Sequence, residues 1–199
     1  MIDIKITFGI LSVIIGLIGC VAYVRDIFRG VCQPHIFTWI IWLGVTSMAF
    51  MGQISDNAGA GAWTTAVGAA FCLLVIILSF RYGTKTRYRS DYFCLAGVGV
   101  AVALYFITNT LIWSVLLVSV VDMIGFIPSI KKSHQNPHNE NATLYQLSSI
   151  RDLLSILALS HISFLTAFYP TCLLVINGSF GLYLWWRQRQ QGIPNKNMV

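Results

Sequence analysis

The chain has 199 residues, of which 56% are hydrophobic and 10% charged, with a formal net charge of +6. Soluble domains carry about 25% charged residues, so this composition excludes one and describes a chain built for lipid. The positive charge sits in short loops, without a basic helix or an aromatic-basic platform, which argues against a nucleic-acid partner.

Apolar runs of about 20 residues, as helices rising 1.5 Å per residue, cross a hydrocarbon layer of roughly 30 Å. In chain order they fall at 5–24, 36–54, 61–80, 91–108, 111–130, 140–159 and 163–185. This predicts an all-α polytopic membrane protein of seven transmembrane helices. The first run lacks a basic leader and a small-residue cleavage site, so it is expected to stay as helix 1. Gly9, Gly16 and Gly19 along it permit close approach of a neighbouring helix. The stretch from Tyr92 to Ile130 is too long for one helix, and Thr108-Asn109-Thr110 reads as a tight turn dividing it. Cys20, Cys32, Cys72, Cys94 and Cys172 lie mostly inside spans without C-x-x-C spacing. They read as packing residues, and no metal or cofactor is expected.

Charge placement orients this layout. The loops after helices 1, 3 and 5 and the C-terminal tail share one side. They hold Arg25, Arg29, Arg81, Lys85, Arg87, Arg89, Lys131, Lys132, Arg187, Arg189 and Lys196 out of 13 basic residues. Only Lys5 lies on the opposite side, and Arg151 falls within a span. The positive-inside rule then puts the N-terminus outside and the C-terminus in the cytoplasm. Trp185-Trp186 ahead of Arg187 reads as an interfacial anchor.

A short pattern occurs twice. Gly30, Gln33, Pro34 and His35 match Ser133, Asn136, Pro137 and His138 at an offset of 103. The same shift carries helices 1 to 3 onto helices 5 to 7, leaving helix 4 as connector. The expected organisation is a first three-helix bundle at 1–84, a linker helix at 85–109 and a second bundle with tail at 110–199. Both bundles start on the same side and so form parallel repeats. Pro34 and Pro137 each set the start of a helix, and His35 and His138 read as capping or solvated side chains. Pro128 removes a hydrogen bond to Ile124, which makes it a hinge or a helix end.

Polar groups inside spans carry the functional signal. Asp122 lies about 12 Å deep, and Arg151 and Asp152 about 18 Å into helix 6. Charges there must pair or face an aqueous cavity. They either lock helices 5 and 6 together or line a binding site between the bundles. Their counterparts in the first repeat are Gly19, Met48 and Ala49, so the three-helix unit does not need them. Gln53, Asp56, Asn57 and His161 cluster at the outer ends of helices 2 and 6 as a candidate vestibule. Trp39 and Trp42, three apart, form an interfacial belt or a stacking platform.

The 3 + 1 + 3 layout, with Pro128-Ser129-x-x-Lys132 at the end of helix 5, resembles the SWEET and PQ-loop superfamily. That superfamily includes sugar transporters, PnuC-type vitamin-precursor carriers, lysosomal amino-acid exporters and the KDEL receptor. Ser129 stands where the family has Gln, and Arg25 where its first-repeat proline would be. Trp39-x-x-Trp42 is similar to a pattern in a poorly characterised bacterial branch of the fold. The resemblance implies that Asn177 on the last helix holds substrate, although its first-repeat counterpart is Leu74.

Together these readings predict a transporter of a small polar or charged metabolite, working by alternating access. Asp122, Arg151, Asp152 and Asn177 form its central site, Trp39, Trp42, Gln53 and His161 line it further, and Pro128 is its hinge. Proton or cation coupling and homo-oligomerisation are compatible with this layout. No metalloprotease, dinucleotide or nucleophile-elbow motif is present, so no enzyme is expected. The alternative is a non-transporting receptor or assembly factor of the same fold.

Overall fold

A computed structural model describes residues 3–30, 33–83, 89–126, 130, 133, 134, 137 and 142–191. Seven α-helices run through them: α1 Ile4–Phe28, α2 Ile36–Ser55, α3 Trp63–Tyr82, α4 Arg89–Thr108, α5 Leu111–Gly125, α6 Ala142–Leu157 and α7 Phe164–Gln191. The short 3₁₀ turn Gly59–Ala62 leads into α3. No strand occurs among the described residues. Helices α1, α2, α3 and α7 are long and apolar enough to cross a membrane. The continuous apolar parts of α4 and α5 are shorter, at Leu95–Thr108 and Leu111–Ile124, and α6 has 16 residues and contains Arg151 and Asp152.

Local chemistry explains the helix ends. Asp3 caps α1, its carboxylate accepting from the Lys5 amide at 3.0 Å, which satisfies an amide that has no partner within the helix. Pro34 precedes α2, where His35 Nδ1 lies 3.0 Å from Thr38 Oγ1. The turn dividing α4 from α5 is made by Asn109 in the left-handed region, φ 51°, a conformation Asn tolerates better than most residues. Gly59 also has positive φ, 62°, and a side chain there would run into Ser160.

Helices α1 and α2 both pack on α3, and α5 and α6 both pack on α7. Between these groups α1 meets α6 and α2 meets α5, while α4 lies against α2 and α5. Small residues set the approach. A Cβ on Gly9 would come within 2.9 Å of Ala60 Cβ, and one on Gly52 within 2.7 Å of Val115. Nothing lies within 4 Å of such an atom on Gly19, so only part of the glycine stripe on α1 is a contact face. In lipid such contacts hold helices together by dispersion and hydrogen bonding.

The apolar clusters differ between the two ends. At the end holding the N-terminus, Ala58 and Ala62 pack with Leu159, Phe50, Ile156 and Ala167, which unites the two halves of the chain. Midway, Val45 and Met48 of α2 pack with Ala101 of α4, Val115 and Val118 of α5 and Tyr169 of α7. At the opposite, basic end each half has its own cluster among the described residues. One is Ile27, Trp39, Cys72 and Val75; the other is Ala142, Phe180 and Leu184.

At the N-terminal end the Ser160 amide donates to the Ala58 carbonyl at 2.9 Å, Ser155 Oγ donates to the Gly61 carbonyl at 2.8 Å, and Lys5 Nζ donates to the Ser160 carbonyl at 3.3 Å. The outward surface of the helices is rich in large apolar side chains, among them Ile14, Ile18, Phe80, Phe106 and Val175. Long apolar helices with such a surface suit a membrane-embedded protein.

Candidate binding site

The charged residues of α6 are placed by the small residues of α1. Gly16 leaves room for the Arg151 side chain, whose Cδ would lie 3.4 Å from a Cβ at that position. One turn away, Ser12 is fully buried and donates to the Arg151 backbone carbonyl at 2.8 Å. Thr64 of α3 lies 2.6 Å from Ser12 Oγ and completes the chain of hydroxyls. A backbone carbonyl is thereby held from two neighbouring helices at the level of the charge.

Arg151 folds back on its neighbour. Its Nε and Nη2 donate to Asp152 Oδ1 at 3.0 and 2.8 Å. Asn177 Nδ2 of α7 donates to Asp152 Oδ2 at 3.2 Å, so both carboxylate oxygens are engaged. Asp152 is 2% exposed, and such a buried charge stands only with partners of this kind.

Asp122 on α5 is also buried, but its partners are neutral. Tyr169 of α7 donates to its Oδ2 at 3.5 Å, a long bond. Trp42 of α2, Arg151 and Asp152 lie within electrostatic reach of the same carboxylate. Side chains of α2, α5, α6 and α7 thus converge on one region, with Ser12 of α1 and Thr64 of α3 supporting it.

Of the residues singled out in the sequence, Arg151, Asp152 and Asn177 are in direct contact and Asp122 is their electrostatic neighbour. Trp42 joins them through Asp122. Trp39 stands one ring back, buried among Tyr23 at 5.2 Å, Phe71 at 5.5 Å and Trp42 at 5.0 Å between ring centres. Gln53 and His161 lie away from the charges, at the N-terminal end. Gln53 is fully buried and donates from Nε2 to the Thr166 carbonyl at 3.3 Å. His161 Nδ1 lies 3.5 Å from Asp56 Oδ1. Pro128 and His138 are outside the described residues.

Tyr169, Ser12 and Thr64 had not been singled out. Tyr169 lies in an apolar run where only its hydroxyl signals a role, because a buried phenol needs a partner. Beside Arg151 a crevice of about 190 Å³ opens between α1 and α6, lined by Gly16, Gly19, Ala22, Leu147 and Ser148 among others. It runs from the charged cluster towards the basic end, where among the described residues each half has its own apolar cluster.

No protein-family model matches the chain, and no curated protein and no solved structure is significantly similar to it.

Proposed function

We propose that this protein is a membrane carrier for a small polar or charged metabolite, working by alternating access between two three-helix bundles. In this reading all seven helices cross the membrane, α4 joins two parallel repeats, and the basic end faces the cytoplasm. The pairings of the helices support the repeat. Exchanging α1, α2 and α3 for α5, α6 and α7 reproduces the packing within each group, and it turns the α1–α6 contact into the α2–α5 contact. The paired prolines Pro34 and Pro137 are both fully buried, as equivalent corners of a repeat should be.

The observation that carries the functional reading is the gathering of Trp42, Asp122, Arg151, Asp152 and Asn177 from both bundles at a level where the bundles meet. A purely structural ion pair needs only Arg151 and Asp152. The remaining groups give a site with charge, an amide and aromatic faces, the chemistry of a small-solute pocket. Among the described residues the halves share an apolar cluster at the N-terminal end and have separate ones at the basic end, which fits a carrier open to the cytoplasm. A small rocking motion about the shared middle cluster would then expose the site to the other side.

The test is flux. Purified protein in proteoliposomes is offered a mixture of labelled metabolites, and accumulation above protein-free vesicles identifies the substrate. Arg151→Gln, reconstituted as an equal amount of folded, monodisperse protein, should lose that accumulation. Wild-type protein that moves no solute in either direction would refute the carrier.

A further inference from the structure

We propose, building on the carrier reading, that the central site takes a small organic cation bearing an ammonium group, with Asp122 as its counter-charge and Trp42 as its aromatic wall. The argument begins with charge. Arg151 and Asp152 neutralise one another through two hydrogen bonds, and Asn177 occupies the second Asp152 oxygen. Asp122 is left with a long bond from Tyr169 and with the Trp42 indole in its neighbourhood, both neutral groups. With both carboxyls ionised, one arginine and two aspartates sum to −1, in a region where an uncompensated charge is costly.

The kind of solute follows from what each class would do to that sum. An anion would deepen the deficit, and the Nε and Nη2 donors of Arg151 are already turned to Asp152. A neutral solute would leave the deficit in place. A monovalent cation cancels it.

The surroundings favour an organic cation over a metal ion. A bound metal needs several oxygen, nitrogen or sulfur ligands, and no group of three His, Cys, Asp or Glu side chains is placed to hold one among the described residues. Asp122 instead has an indole and a phenol beside it. Trp42 is steadied by an edge contact with Trp39, 5.0 Å between ring centres and 87° between planes. A carboxylate with a fixed indole is the arrangement that recognises ammonium groups by charge and by cation–π attraction. Asp122 is itself buried, so the cation that reaches it is small, of the bulk of choline or ethanolamine.

The experiment uses the whole protein in lipid nanodiscs. Thermal stabilisation is measured with a graded set of ammonium solutes, from methylammonium through ethanolamine and putrescine to choline, with sodium chloride as the ionic control. Succinate and glucose represent anions and neutral solutes. At least one ammonium solute should stabilise the protein saturably. Asp122→Asn, which keeps the side-chain shape, should abolish that response, and Trp42→Leu should weaken the apparent affinity about tenfold.

The Trp42→Leu titration stands by itself if the Asn variant does not fold. The proposal is overturned if no ammonium solute binds, if Asp122→Asn binds them as well as wild type, or if Trp42→Leu leaves the affinity unchanged. Arg151-dependent flux of succinate or glucose would overturn the cation but leave the carrier intact. Absence of flux for every class would remove the carrier as well.

Discussion

Gln53 supplies the hydrogen bond that Pro170 takes away. Pro170 lies inside α7 and has no amide hydrogen to donate to the carbonyl four residues earlier, that of Thr166. The Gln53 side-chain amide, from α2, donates to that carbonyl at 3.3 Å. A break in one helix is repaired by the other half of the chain, at the end where the halves are joined.

This pairing predicts a coupled pair of variants. Gln53→Leu removes the donor and leaves a buried carbonyl unsatisfied, a loss of about 1–3 kcal/mol. Pro170→Ala restores a backbone donor, so the same Gln53→Leu change on that background should cost much less. Thermal unfolding of the four proteins in one detergent gives the coupling directly. Equal losses on both backgrounds would show that Gln53 acts through some other contact.

The glycines of α1 predict a contrast along one helix. A methyl group on Gly9 meets Ala60 Cβ at 2.9 Å and the Ala60 carbonyl at 3.0 Å, so Gly9→Ala should destabilise by about 1–3 kcal/mol through overpacking. At Gly19 nothing lies within 4 Å, and Gly19→Ala should be neutral or slightly stabilising, since alanine is the better helix former. Melting temperatures of the two variants check this. A larger loss at Gly19 would contradict the packing of α1.

The helices were legible because lipid enforces long apolar runs, and the α4–α5 boundary because Asn109 interrupts one. The contacts between Arg151, Asp152 and Asn177 were partly legible, since a charge within an apolar run must find company. Asp122 was readable as a buried charge, but not its position between Trp42 and Tyr169. Nor was the bond from Gln53 to Thr166, which read from sequence as vestibule polarity. Such contacts join residues far apart in sequence, 47 positions for Asp122 and Tyr169 and 113 for Gln53 and Thr166, and leave no periodic trace in the chain. Only the packing of α2, α5 and α7 on one another brings them together.

The charged cluster predicts non-additive losses. Arg151→Gln leaves Asp152 buried with Asn177 as its remaining partner, and should cost about 3 kcal/mol. Arg151→Gln with Asp152→Asn removes both charges and should be less damaging than the first change alone. Chemical or thermal unfolding of the single and double variants decides it. If the double variant loses the sum of the two single losses, the pair is not acting as a unit.

The last prediction concerns motion. In the carrier reading the halves separate at the N-terminal end when the site turns outward, so a covalent tie there should stop transport. Asp56 and His161 are suited to it, because they are partly exposed and face each other at 3.5 Å across the halves. Cysteines at both positions, in a background with the native cysteines replaced, can be joined by a short thiol-reactive cross-linker. Flux in proteoliposomes should fall at least tenfold on cross-linking and return with reductant, while solute binding persists, because the basic end remains free to open. The uncross-linked double-cysteine protein should transport at close to the rate of its background. Full flux through the cross-linked protein would mean that the N-terminal end never opens, and rocking about the middle cluster would have to be given up as the transport step.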